Sequence, residues 1–281
     1  MNRIAKNLPP IAQCLRWWRY ARDLLPLWLA SPEQTPYGFR LRTPRYRNMV
    51  MDVYERDEIS CFGQTIGSGG IDVLLDVGAN VGVYSCYALS KGVRTLAFEP
   101  VARNLRYLYR NVIDNGWAEL CEVWPMAVSS RPGLRVFYDG ARGASASLIA
   151  GWAGSDKRFA AVAPCTTLDL AIGTRFQAAR LFIKVDVEGA ELEVLRGAGE
   201  LLQQPIAPIW QIEICLTEWS PCNWNPDFRA VFELMASHGY EARTAGREAR
   251  PVGMPDVDRW IERGEIPFAQ REFIFQKRSG K

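Results

Sequence analysis

The chain holds a single histidine, His238, in 281 residues. Chemistry that needs two imidazoles, such as a HExxH metalloprotease centre, is excluded by that count alone. Its seven cysteines are scattered, with no CxxC pair. An odd number without ligand spacing argues against a disulfide framework and against zinc, and suits a reducing, cytoplasmic setting. No G-K-[ST] follows a glycine turn, so there is no P-loop. The dinucleotide fingerprint G-x-G-x-x-G also fails where it would count, because Asn80 stands two places after Gly78. Long clean apolar runs are lacking. The nearest to one, "IAQCLRWWRYARDLLPLWLA" (Ile11 to Ala30), is interrupted by Arg16, Arg19, Arg22 and Asp23, whereas a span needs about 20 mostly apolar residues. It also has no uninterrupted signal-peptide core or small-residue cleavage site. The net charge of +3 is too small to argue for a nucleic-acid partner.

What is present reads as a folded protein: 48% hydrophobic, 23% charged and 11% aromatic. The positive excess sits in the first sixty residues, with ten Lys and Arg against six Asp and Glu. In that region Cys14, Leu15, Trp18, Ala21, Leu24, Leu25 and Trp28 recur at helical spacing, with the arginines to another side and Pro26 ending or kinking the helix. One reading is a helix packed on the main domain. The other is a peripheral foot, residues 11–30, on an anionic membrane, since Arg with Trp and Leu is the composition of interfacial helices. Short apolar runs between Tyr37 and Val53 suggest a hairpin, and "GSGG" (Gly67 to Gly70) a linker. The expected organisation is therefore an N-terminal extension, 1–70, and a main domain, 71–281.

In the main domain short apolar runs alternate with helical patterns. The runs are "IDVLLDVG", "GVRTLAFEP", "LCEVWPMAVS", "ARLFIKVD" and "APIWQIEIC". Helices are expected over Val81–Lys91, Ala102–Asn115, Glu188–Gln203 and Asp227–His238. This alternation predicts βαβ units and a largely parallel sheet covered on both faces. A last run, "REFIFQKR", is expected as an added strand at the far side of the sheet. Ligands of such sheets bind outside the carboxyl ends of the strands. Asp76, Glu99, Asp186 and Glu213 all fall at or near those ends. Gly78 and Gly82 allow a tight turn with close backbone approach to a ligand. Glu99, about twenty residues on, is placed to accept hydrogen bonds from a ribose diol.

"LLDVGANVGVYS", "LAFEPVARNLRYLYRN", "MAVSSRPG", "TTLDL" and "IKVDVEGAELEVLRGA" stand in the order and spacing of FkbM-type methyltransferases, which the chain resembles from about Leu74 to Cys215. The resemblance implies the α/β class I methyltransferase fold, Rossmann-like, with a seven-stranded, mostly parallel sheet whose last strand is antiparallel. It implies S-adenosyl-L-methionine as cofactor, S-adenosyl-L-homocysteine as product, and methylation of a hydroxyl on a sugar, glycan, glycolipid or polyketide-like metabolite. Carried over residue by residue, Asp76, Gly78, Asn80 and Gly82 correspond to the segment around the methionine end of the cofactor. Glu99 corresponds to the ribose acid. Met126 and Ala127 flank the adenine, and Asp186 lies by the transferring methyl.

An alcohol acceptor must lose a proton, and Asp186, Glu188 and Glu213 are the candidate bases, in that order. Glu188 and Gly189 are expected to begin the next helix, with Glu191 and Glu193 solvated or locally paired beyond them. His238 is expected in a helix C-terminal role. No metal site is expected. Acceptor contacts are assigned to Trp219 and Trp224 in "EWSPCNWNP" and to the Gly/Ala/Ser-rich segment Asp139 to Pro164. Two other functions compete: a nucleotide-dependent oxidoreductase, which Asn80 disfavours, and a non-catalytic membrane-associated scaffold.

Overall fold

The computed structural model of the chain describes residues 31–43, 56–140, 146–246, 248–268 and 271–277. The basic segment 11–30 and most of the expected hairpin lie outside these residues. In chain order, β1 (Glu33–Gln34) and β2 (Arg40–Leu41) form a short antiparallel pair. Helix α1 (Arg56–Gly67) follows, then β3 (Val73–Val77), α2 (Val83–Ser90), β4 (Arg94–Phe98), α3 (Ala102–Asp114) and β5 (Cys121–Trp124). A second set of strands comes next: β6 (Ala127–Val128), β7 (Gly133–Gly140), β8 (Ala146–Ser147) and β9 (Ser155–Thr166). The chain closes with α4 (Leu168–Ile172), β10 (Leu181–Val185), α5 (Glu191–Arg196), β11 (Ile209–Glu213), α6 (Phe228–Ser237), β12 (Tyr240–Thr244), β13 (Pro251–Val252), α7 (Met254–Arg263) and β14 (Glu272–Lys277).

The main sheet runs β13-β12-β14-β11-β10-β3-β4-β5. From β5 to β11 every pairing is parallel, and β14 runs antiparallel to both of its neighbours. The expected seven strands are present, and the two-residue β13 adds an eighth at the edge. The direction of winding switches between β3 and β10, which opens a crevice at their carboxyl ends. Every residue of β3 and of β10 is buried, as strands covered on both faces require.

Three expectations change. The run Leu120 to Ser129 is two strands, because Pro125 separates β5 from β6, and β6 belongs to a separate sheet ordered β6-β9-β7-β8. The final run is not at the far side. Glu272, Phe273, Ile274 and Phe275 are all buried, and β14 is inserted between β11 and β12. A strand apolar on both faces belongs inside a sheet. Helix α1 shares a core with the sheet: Cys61, Phe62 and Ile66 pack with Leu74, Ala88, Phe182 and Ile274. A boundary at residue 70 therefore falls inside a continuous apolar cluster. No helix among the described residues is long and apolar enough to cross a membrane.

Candidate active site at the carboxyl edge of the sheet

The β3–α2 turn is bound to its neighbours through the backbone. The amides of Gly78 and Ala79 both donate to the Phe98 carbonyl at 3.0 Å, and the Asp186 amide donates to the Val77 carbonyl at 2.9 Å. Gly78 has φ +88°, and a Cβ there would lie 1.8 Å from the Asp186 carbonyl oxygen. At Gly82 a Cβ would meet Leu108 Cδ1 at 2.5 Å. Both glycines thus make room for the protein's own β10 end and α3, where the sequence suggested room for a ligand.

Asp76 is buried, and its Oδ2 accepts the Ser85 hydroxyl at 2.5 Å. Burial pushes its carboxyl up to about 6, against the opposing pull of Ser85 and Lys184, and the Asp186 charge adds to the rise. Its contact is with the first turns of α2, so a direct ion pair with a cofactor ammonium is not what this position offers. Glu99 is 4% exposed. It accepts the Asn80 amide at 2.8 Å on Oε2, and the Val101 amide at 2.8 Å and Asn104 Nδ2 at 3.3 Å on Oε1. The acid that follows β4 thereby braces the turn that follows β3. Asn80, at φ +55°, leaves its Oδ1 buried without a hydrogen-bond partner among the described residues, and so does Asn104. Buried acceptors in that state await donors. Met126 is half-buried and Ala127 buried at the start of β6, beyond the ends of β4 and β5.

On the other side of the crevice Asp186 follows β10 with its side chain 35% exposed. Its Oδ2 lies 3.5 Å from Lys184 Nζ, and that ammonium lies 2.9 Å from Glu272 Oε1. Glu213 ends β11 opposite Glu272 in register. The Asp186 charge first, and burial second, push the Glu213 carboxyl well up, while Lys184 pulls it down. Glu188 does not start a helix. It sits at φ +57° in the turn before α5, and its Oε2 accepts the Trp152 indole N–H at 3.1 Å. Trp152 is buried against Gly189, where a Cβ would lie 2.5 Å from its ring. Glu193 is locally paired with Ser130 and Arg196. Glu191 is buried, contrary to a solvated role, because it turns back to accept the Gly189 amide at 2.8 Å. His238 caps the C-terminus of α6.

Trp219 and Trp224 are 60% and 40% exposed, so neither serves as a buried anchor for its loop. The loop itself meets the segment after β8: the Ala153 amide donates to the Trp219 carbonyl at 2.7 Å. Among the described residues no group of His, Cys, Asp and Glu is arranged to hold a metal ion.

The family model described as the methyltransferase FkbM domain matches residues 76–242, more than half of the chain. This protein belongs to the FkbM methyltransferase family. No curated protein matches the chain. Among solved structures, an FkbM methyltransferase from Methylobacillus flagellatus KT is 16% identical over 74% of this chain and 44% of its own, with a TM-score of 0.44. This chain thus spans less than half the length of that relative. A human methyltransferase 10 domain containing protein is 10% identical over 93% of this chain and 97% of its own, with a TM-score of 0.46. An S-adenosylmethionine-dependent methyltransferase from Agrobacterium tumefaciens is 12% identical over 89% and 70%, with a TM-score of 0.43.

In this member of the FkbM family Ser85, Asn104, Trp152, Lys184 and Glu272 join the site without having stood out in the sequence. Lys184 and Glu272 carried a signal, since Lys184 puts a charge into the otherwise apolar β10 and Glu272 adjoins the apolar run Phe273–Phe275. Trp152 carried none, because its partner Glu188 lies 36 positions away.

Proposed function

We propose that this methyltransferase uses S-adenosyl-L-methionine to methylate a hydroxyl of a sugar, glycan, glycolipid or polyketide-like metabolite. The observation that carries the reading is the crevice at the β3/β10 switch, with Glu99 and the buried, unpartnered Asn80 and Asn104 oxygens on one side and Asp186 and Glu213 on the other. That donor-poor, acceptor-rich set fits a ligand that brings hydroxyls, an ammonium and a sulfonium. When bound, the cofactor supplies an electrophilic methyl group and leaves as a neutral thioether, S-adenosyl-L-homocysteine.

The chain's own residues do the rest. Glu99 and Asn80 face the ribose, and the Gly78–Gly82 turn lies along the methionine part. Met126 and Ala127 flank the base, Met126 as an apolar wall. Asp186, whose side chain is 35% exposed, takes the acceptor's proton, with Glu213 second. A positioned base contributes about 10²–10⁴-fold. Glu188, already bonded to the Trp152 indole, holds the acceptor loop in place. Trp219 and Trp224 offer flat faces to the acceptor.

Isothermal titration of the protein with S-adenosylmethionine, with NAD as the control, tests the cofactor. Mass spectrometry of candidate hydroxylated acceptors incubated with methyl-labelled cofactor tests the transfer. Micromolar binding of the first, none of NAD, and label on oxygen are expected. Binding of NAD alone, or label appearing only on nitrogen, defeats the reading.

A further inference from the structure

Lys184 is fully buried one residue before the end of β10, and its register neighbours are Asp76 on β3 and Gln211 on β11. An ammonium in such a place is costly unless paired. If packing were the only need, an apolar side chain would serve as well, since replacing a buried ion pair by apolar groups is often neutral or stabilising. The geometry shows what the charge reaches. Nζ lies 2.9 Å from Glu272 Oε1, in the interior, and 3.5 Å from Asp186 Oδ2, at the ligand edge. The Tyr84 ring covers it at 5.0 Å. Glu272 is itself fixed, by the Tyr84 hydroxyl at 3.4 Å and by Gln211 Nε2.

We propose that Lys184 is a positioning residue of the reaction centre: anchored by Glu272 on β14, its ammonium sets the charge of the carboxylate edge formed by Asp186 and Glu213. This rests on the reading that the cofactor's sulfonium lies at that edge.

The charged and titratable groups acting on Lys184 or Glu213 are Asp76 from β3, Tyr84 from α2, Asp186 from the end of β10, Glu188 from the turn before α5, Glu191 of α5, Glu213 from β11 and Glu272 from β14. Burial works against the ammonium, but Glu272, Asp186 and Glu213 together raise its pKa and hold it protonated. Among the causes acting on Glu213, Lys184 lowers its pKa and weighs more than Glu272, which raises it. Loss of Lys184 therefore makes Glu213 harder to ionise.

The experiment needs no acceptor. S-adenosylmethionine carries a sulfonium charge that S-adenosylhomocysteine lacks, so the ratio of their dissociation constants reports the charge of the edge. Calorimetric titrations with both ligands from pH 6 to 9 are compared for the wild type, Lys184→Met and the double variant Lys184→Met/Glu272→Gln. In the wild type the preference for the sulfonium is expected to rise with pH as Glu213 ionises. In Lys184→Met the rise moves to higher pH, because a positive charge that favours ionised Glu213 is lost. The double variant leaves no unpaired buried carboxylate at position 272, so it folds even if the single variant does not. It retains part of the displacement, because Lys184 outweighs Glu272 at Glu213.

Wild-type curves from a folded Lys184→Met overturn the proposal, and so does full restoration in the double variant, which would confine Lys184 to neutralising Glu272. Equal weakening of both ligands at every pH, with a lowered melting temperature, marks a structural role and also overturns it. Failure of the wild type to bind either ligand instead overturns the cofactor reading, and the proposal with it.

Discussion

Glu191 turns inward to the Gly189 amide, whereas Glu193, two residues on, lies at the surface between Ser130 and Arg196. Burial pushes the Glu191 carboxyl up to about 7, only partly offset by the Gly189 amide. A carboxyl raised in the folded state keeps a proton that the unfolded chain has already lost. Its contribution to stability is therefore present below the ordinary value of 4.5 and is lost as pH rises through about 7. Glu191→Gln keeps an oxygen for the Gly189 amide and removes the titration. We expect that variant to match the wild type near pH 4 and to be more stable at pH 8 by about 3–4 kcal/mol, at ~1.4 kcal/mol per pH unit. Urea unfolding at the two pH values measures this. Glu99 makes the opposite case, because its carboxylate serves the fold as well as the proposed ribose site. Glu99→Ala leaves the Asn80 and Val101 amides without their acceptor. A loss of about 1–3 kcal/mol in stability is expected for each donor left buried and unmet. Cofactor affinity should also fall at least ten-fold, from lost charged hydrogen bonds of about 1.5–3 kcal/mol. Calorimetry of variant protein shown to be folded separates the two effects.

At the scale of elements, the segment after β8 and the turn before α5 hold each other. Ser147 Oγ donates to the Glu188 carbonyl at 2.6 Å, the Trp152 indole donates to the Glu188 carboxylate, and the Trp152 ring lies on Gly189. Gly189 has φ +96°, a region side chains avoid, and a Cβ there would enter the indole. Gly189→Ala should therefore displace Trp152 and break its hydrogen bond to Glu188, at a cost of about 1–3 kcal/mol from the strained backbone alone. Trp152→Phe removes the indole N–H and keeps a smaller aromatic ring beside Gly189, so it should cost less. Thermal melts of the two variants give the order, and equal losses would mean that the indole hydrogen bond, not the close approach, dominates. Along the sequence Gly189 was expected to begin the next helix with Glu188, whereas it lies in the turn before α5. The reason for a glycine there was not legible, since the ring that fills the space comes from the distant Gly/Ala/Ser-rich segment.

At the scale of the molecule, α1 and the sheet form one core. Phe62 is fully buried and meets Phe182 of β10 edge-on, with ring centroids 5.3 Å apart. Phe62→Ala should destabilise the protein by about 3–5 kcal/mol, the usual cost of emptying a buried aromatic position. It should do so within a single unfolding transition followed by fluorescence and circular dichroism. Two separate transitions would mean that α1 belongs to an extension that folds by itself.

The sequence by itself determined the parallel core. Apolar runs of five or so residues, each closed by Asp76, Glu99, Asp186 or Glu213, have no inexpensive arrangement other than strands buried on both faces with carboxylates at one edge. It also determined the family, through motifs whose spacing is set within single βα units. Tertiary structure alone decided what each carboxylate touches. Asp76 turns to Ser85, Glu99 braces the Asn80 turn, Glu188 is held by Trp152, and Glu213 stands opposite Glu272 in register. The insertion of β14 beside β11, which brings Glu272 to Lys184, was likewise invisible along the chain. A strand's neighbours, and therefore the charges beside its side chains, depend on pairings between residues as far apart as Lys184 and Glu272, and local periodicity carries no record of them.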